Sequence, residues 1–134
     1  MTPEAIIKHL DLAPHPEGGW FKETWRDGST PRATGTAIYF LLEAHQTSHW
    51  HKVDATEIWH WYAGGPLDLD IHDGTPRTAR LGPHLLVDEV PQVIIPEHAW
   101  QRARPVNGWV LVGCTVSPGF EFEGFNLAPK GWSP

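Results

Sequence analysis

His49 and His51 flank a single residue, and Glu57 follows six positions after His51. These are residue types that hold a metal ion or move a proton. Side chains along a strand alternate between faces, so two histidines two positions apart project the same way if Thr47 to His51 is extended. A turn over Lys52 to Ala55 would bring Glu57 back beside them on the next strand. Two imidazoles and a carboxylate suit iron, manganese, nickel or zinc and leave coordination positions for a substrate. The same trio can serve as a proton-transfer site with no metal. Which histidine faces inward depends on register, because a one-residue slip in the turn exchanges the two faces.

Other candidates follow from the same reasoning. Trp59 and Trp61 share the parity of Glu57, so both are expected to line the same interior, as packing or as a stacking surface for a substrate. Glu17, beside Gly18 and Gly19, is placed either to orient a substrate or to pair with an arginine. Glu23 is a further acidic candidate. His60 has the opposite parity and belongs on an outer face, while His9, His45, His72 and His84 read as surface residues. Cys114 sits in the apolar run Val110 to Val116. As the one cysteine it can form no internal disulfide, and it is expected to be a buried, inert thiol.

Positioning such a cluster is the task of the remaining chain. Thirteen Gly, thirteen Pro and eight Trp among short Val/Ile/Leu runs in 134 residues point to an all-β protein of one domain, 1–134. Thr2-Pro3-Glu4 opens a short helix ending near Leu12. His15 to Gly19 then forms a turn or bulge. Strands are expected over Trp20 to Arg26, Thr36 to Glu43, Thr47 to His51, Glu57 to Ala63, Leu67 to His72 and Arg77 to Leu81. Further strands cover Gln92 to Ile95, Trp100 to Arg104, Trp109 to Val116 and Phe120 to Leu127, with Asp73-Gly74 as a hairpin turn. Thr36 to Glu43 is apolar on both faces and so is covered on both, from within the domain or by a partner subunit. A closed barrel suits this series best, with the His/Glu cluster in its mouth.

A net charge of −6 with few, scattered arginines (Arg77, Arg80, Arg102, Arg104) argues against nucleic acid and anionic membrane as partners. No apolar run approaches transmembrane length and the start lacks a signal-peptide pattern, so a cytoplasmic location is expected.

These residues carry a resemblance to the cupin superfamily. The first cupin motif, glycine, five residues, His-x-His, three or four residues, Glu, six residues, Gly, is met by His49-Trp50-His51 and by Glu57 to Gly64. Five residues separate His51 from Glu57, and Glu43 stands at the upstream glycine. The second motif, Pro-x-Gly-x-x-His, aligns with Pro96 to Gln101, with His98 at the glycine and Gln101 at the third histidine. The chain is more specifically similar to a small single-domain cupin family, mostly uncharacterised. Its hallmarks run from His15-Pro16-Glu17-Gly18-Gly19 through Glu23-Thr24, Glu57 to His60, Tyr62-Ala63-Gly64 and Trp100-Gln101 to Leu111–Phe120.

The resemblance implies a jelly-roll β-barrel with a short N-terminal helix, a homodimer, and no settled activity. It implies a divalent metal held by His49, His51, Glu57 and Gln101, with Gln101 ligating through its carbonyl oxygen. His51 and Glu57 would be the catalytic pair, and Glu17, Trp59, Trp61, Trp100 and Gln101 would contact the ligand. The expected function is small-molecule binding with metal-assisted isomerisation or epimerisation of a small polar or carbohydrate-like substrate. The alternative is a ligand-binding or sensor protein without metal or turnover.

Overall fold

The hydroxyl of Thr2 accepts a hydrogen bond from the Ala5 N–H at 3.2 Å, and Pro3 occupies the first turn, so the chain opens in helix α1, Pro3–Leu10. Asp11 ends it by turning left-handed (φ 57°), its N–H reaching back to the Ile7 and Lys8 carbonyls. The helix therefore stops short of Leu12. The structure is a computed structural model describing residues 1–134.

Eleven strands follow: β1 Ala13–Pro14, β2 Trp20–Arg26, β3 Thr36–Leu42, β4 Ser48–Val53, β5 Thr56–Gly64, β6 Leu67–His72, β7 Pro76–Leu81, β8 Gln92–Ile95, β9 Trp100–Pro105, β10 Val110–Ser117 and β11 Phe125–Leu127. They make two antiparallel sheets, one ordered β1-β2-β3-β10-β5-β8 and the other β11-β4-β9-β6-β7. This is the all-β barrel anticipated from the turn-rich sequence, in the two-sheet jelly-roll form that the cupin resemblance implies.

The core lies between the sheets. Phe40, Leu42 and Trp59 of the larger sheet meet Leu67, Leu69 and Ile71 of the smaller, all essentially without exposure. Burying each such side chain contributes roughly 1.5–3 kcal/mol. On the other face of β3, Leu41 packs with Ile6 and Leu12, flanked by Ile7 and Leu10 of α1. The helix thus covers from within the chain part of the second apolar face of Thr36 to Glu43.

Two local expectations are corrected. Phe120 to Leu127 is not one strand: Phe122–Gly124 is a 3-10 turn and only Phe125–Leu127 pairs with β4. The second correction concerns the site. Against β9, Ser48 pairs with Ala103 and His51 with Gln101, so three steps along β4 match two along its neighbour. The extra residue is a bulge, and it breaks the simple alternation of faces. Ser48 and His51 are both buried, and His49 does not share the face of His51.

Candidate functional site

His51 enters the barrel from β4 with 2% exposure. Its Nδ1 lies 2.7 Å from the His49 carbonyl oxygen, which can only accept, so Nδ1 carries a hydrogen. Its Nε2 lies 2.8 Å from Oε2 of Glu17. Burial opposes a charge on this imidazole, but the Glu17 carboxylate outweighs it and pushes the pKa up to about 9. His51 is an imidazolium at neutral pH.

Glu17 reaches it from the β1–β2 turn because of the two glycines that follow. Gly18 (φ +109°) crosses over the Thr47 carbonyl so closely that a Cβ would collide with the oxygen. Gly19 (φ +81°) packs against Leu41 and Leu42 in the same way. The His49 N–H donates to the Glu17 carbonyl at 2.9 Å and fastens the turn onto β4. Burial works against ionisation of Glu17, yet the charge and hydrogen bond of His51 hold its carboxyl below the usual range. The Glu17 N–H donates to Nδ1 of His15 at 3.1 Å. That nitrogen is therefore unprotonated, and burial keeps His15 neutral despite the carboxylate 3.7 Å away.

Glu57, on β5, is 7% exposed and opens onto the same cavity. Burial pushes its carboxyl up to about 7, with the His51 charge pulling the other way. Its Oε1 accepts a hydrogen bond from Nε2 of Gln101 at 2.8 Å, and Oε1 of Gln101 accepts from the Trp59 indole N–H at 2.9 Å. An indole can only donate, so Trp59 fixes which way the Gln101 amide points and obliges it to donate to Glu57. The Cys114 thiol sits beside Glu57, and burial raises it well above the ordinary cysteine range. It is neutral and unsuited to nucleophilic attack.

The cavity above these groups encloses about 550 Å³, its open mouth included. Its middle is walled by Phe21, Ile38, Val53 and Val116. At the mouth stand Phe120, Phe122 and Phe125, three rings packed edge to face with centroids 5.0–6.0 Å apart. Glu23 and Arg26 border it, paired with each other at 2.8 Å.

The residues expected from the sequence are thus distributed as follows. Glu17, His51, Glu57 and Gln101 come together. His49 is turned away by the bulge, with Nε2 3.0 Å from the Pro129 carbonyl oxygen. Trp59 and Trp61 do face inward, but two and four residues beyond Glu57 mean about 7 and 13 Å further down the barrel. Trp59 lies beneath the cavity floor, and Trp61 donates to the Gly65 carbonyl. Neither lines the cavity. Trp100 neighbours Gln101 on β9 and so takes the opposite face, where its ring packs on Trp132 under Lys52. His15 and the three mouth phenylalanines were missed. His15 belongs to the same short motif as Glu17, and Phe120-Glu121-Phe122 alternates in a way that resembled a plain strand.

As these side chains stand, they are not laid out around a divalent cation. No three His, Cys, Asp or Glu side chains are grouped to hold one. The Gln101 oxygen is committed to Trp59, and both His51 nitrogens are engaged. Of the motif departures, His98 takes the left-handed backbone (φ 66°) that a glycine would supply at that turn.

Comparison with known proteins agrees with the architecture. A family model described as Cupin superfamily (DUF985) matches residues 4–128. A crystal structure of a protein from Shewanella oneidensis superimposes with a TM-score of 0.90 at 35% identity, covering 96% of this chain and 85% of the other. A hypothetical protein from Leishmania major gives 0.89 at 30% identity, covering 96% and 88%. Oxalate decarboxylase from Bacillus subtilis, a protein with Mn(II) centres, gives 0.68 at 14% identity, covering 88% of this chain and 30% of that one. At that identity the likeness is one of fold. No curated protein matches the sequence.

Proposed function

Since the chain belongs to the DUF985 family of the cupin superfamily, we propose that its barrel binds a small carbonyl compound and moves a proton at the carbon next to the carbonyl. The outcome would be isomerisation or epimerisation. The observation that carries this reading is a single cavity in which one imidazolium, His51, keeps Glu17 ionised while Glu57 titrates near neutrality. Environments that push two carboxyls apart assign the acid and base roles.

Ionised Glu57 takes the proton from the α-carbon. The C–H electron pair becomes the new C=C bond, and the carbonyl π pair moves onto oxygen. The positive charge of His51 favours the resulting enolate. Protonated Glu57 then returns the proton from its own side. Delivery to the original carbon after the enolate has turned its other face epimerises it. In an α-hydroxy carbonyl, delivery to the neighbouring carbon isomerises it, as the hydroxyl proton passes to the enolate oxygen and the hydroxyl-bearing carbon becomes the new carbonyl. His51 is a fixed charge in this scheme and not the base, because both nitrogens are occupied. Glu17 orients it. Acid–base catalysis of this kind contributes about 10²–10⁴-fold. NMR in D₂O over a panel of ketones, keto acids and ketoses tests the proposal. α-Hydrogen exchange by the wild type, lost in Glu57→Gln, is expected. Exchange that persists in that variant would refute it.

The occupied nitrogens of His51 favour a second reading, a binding or sensor protein without turnover. Ligand-dependent thermal shifts with no exchange would establish it. A metal-assisted version with His51, Glu57 and Gln101 as ligands requires the Gln101 oxygen to leave Trp59. Calorimetric titration with manganese, nickel and zinc tests that version: Gln101→His should tighten binding if it holds. For assembly we propose a homodimer over the outer face of the larger sheet, where Tyr62 and Ile94 are half-exposed. Sedimentation at 15 kDa would count against it.

A further inference from the structure

The polar atoms around the cavity are largely spoken for. Both nitrogens of His51 are taken, by the His49 carbonyl and by Glu17. The Thr36 hydroxyl accepts from the Phe120 N–H at 3.0 Å. Arg26 donates twice to Glu23 and once more to the Phe120 carbonyl at 2.6 Å. One oxygen of Glu57 is held by Gln101. The rest of the Glu57 carboxyl and the ring of His15, whose Nδ1 alone has a hydrogen-bond partner, are the polar surface at the inner end that faces an incoming molecule. Between it and solvent the wall is mainly hydrocarbon, Ile38, Val53 and Val116 and then the rings of Phe120, Phe122 and Phe125, with Thr36 and the Glu23–Arg26 pair as the polar groups, each already hydrogen-bonded.

A sugar entering this space would bury several hydroxyls against carbon walls. Each buried hydroxyl without a partner weakens binding substantially. A molecule with one polar head and an apolar body meets no such penalty, and ring edges and faces arranged as these three are favour an aromatic body. We propose that the occupant of this barrel is an amphipathic carbonyl compound, with an aromatic or branched-aliphatic body at the phenylalanine mouth and its carbonyl end toward Glu57. The inference rests on the proton-transfer reading for the direction of the head. For the body it rests on the wall alone.

Calorimetric titration with two probes, phenylacetone and fructose, tests it. Phenylacetone should saturate near 1 mM, which is within reach of a ligand of about ten heavy atoms. Fructose should show no saturation at about fifty times that concentration. Phe122→Ala should weaken phenylacetone about fivefold. Phe122 is 58% exposed, so its removal leaves the core intact. Tighter binding of fructose, no saturation by phenylacetone, or indifference to Phe122→Ala overturns the proposal. The two readings fail separately. Saturable phenylacetone without α-hydrogen exchange removes proton transfer and keeps the occupant. Exchange on fructose without phenylacetone binding does the reverse.

Discussion

Replacing Glu57 by Gln should stabilise the protein at pH 8 and leave it nearly unchanged at pH 4.5. The side chain is 7% exposed, and burial lifts its carboxyl from 4.5 to about 7. A group whose folded pKa lies above its unfolded value contributes most below the unfolded value. That contribution is lost as pH rises through the folded value. For Glu57 the loss runs from about pH 4.5 to about pH 7. A difference of 2.5 pH units at 1.36 kcal/mol each is about 3 kcal/mol. Glutamine keeps the shape and still accepts from Gln101, but it carries no charge to bury. The stability gap between variant and wild type should therefore open from near zero at pH 4.5 to about 3 kcal/mol at pH 8, on the order of 10 °C in Tm. Urea unfolding at several pH values between these limits measures it. A gap that stays constant with pH, or a variant less stable at pH 8, would refute the reasoning.

Three further outcomes are expected. Glu17→Gln should cost about 3 kcal/mol at pH 6 and little above pH 9.5 in urea titrations, because the raised His51 value makes the pair's contribution full below 6.5 and lost through about 9. Gly18→Ala should cost about 2 kcal/mol or more, from backbone strain at φ +109° and the collision with Thr47. NMR should then show His51 titrating nearer its ordinary value. Trp59→Phe should cost about 1–3 kcal/mol and raise the Glu57 midpoint further, since a released Gln101 is no longer obliged to donate to it.

Much of the fold was legible because turn residues bracket each strand. Asp73-Gly74 and Gly64-Gly65-Pro66 bound β6 and β7 where expected, and Leu67, Leu69 and Ile71 face the core by simple alternation. Alternation failed at β4, where nothing in Thr47 to His51 announces a bulge. Only pairing with β9 shows that Ser48 and His51 share a face and that His49 does not. Depth was also hidden. Parity placed Trp59 and Trp61 inside but could not say that the cavity closes at the level of Gln101. The pairing of Glu17 with His51 joins residues 34 positions apart through a glycine turn, and the local sequence offered only a substrate or an arginine as its partner. The aromatic mouth depends on a 3-10 turn at Phe122–Gly124 that breaks an apparent strand.

The most direct test of the proton-transfer site is NMR titration of glutamate side chains labelled with ¹³C at the carboxyl carbon, assigned with Glu57→Gln and Glu17→Gln. Glu57 is expected to titrate near 7 and Glu17 below the ordinary carboxylate range. A Glu57 midpoint near 4, like that of a solvated carboxyl, would leave the barrel without an acid–base group poised for neutral pH and would contradict the proposed chemistry.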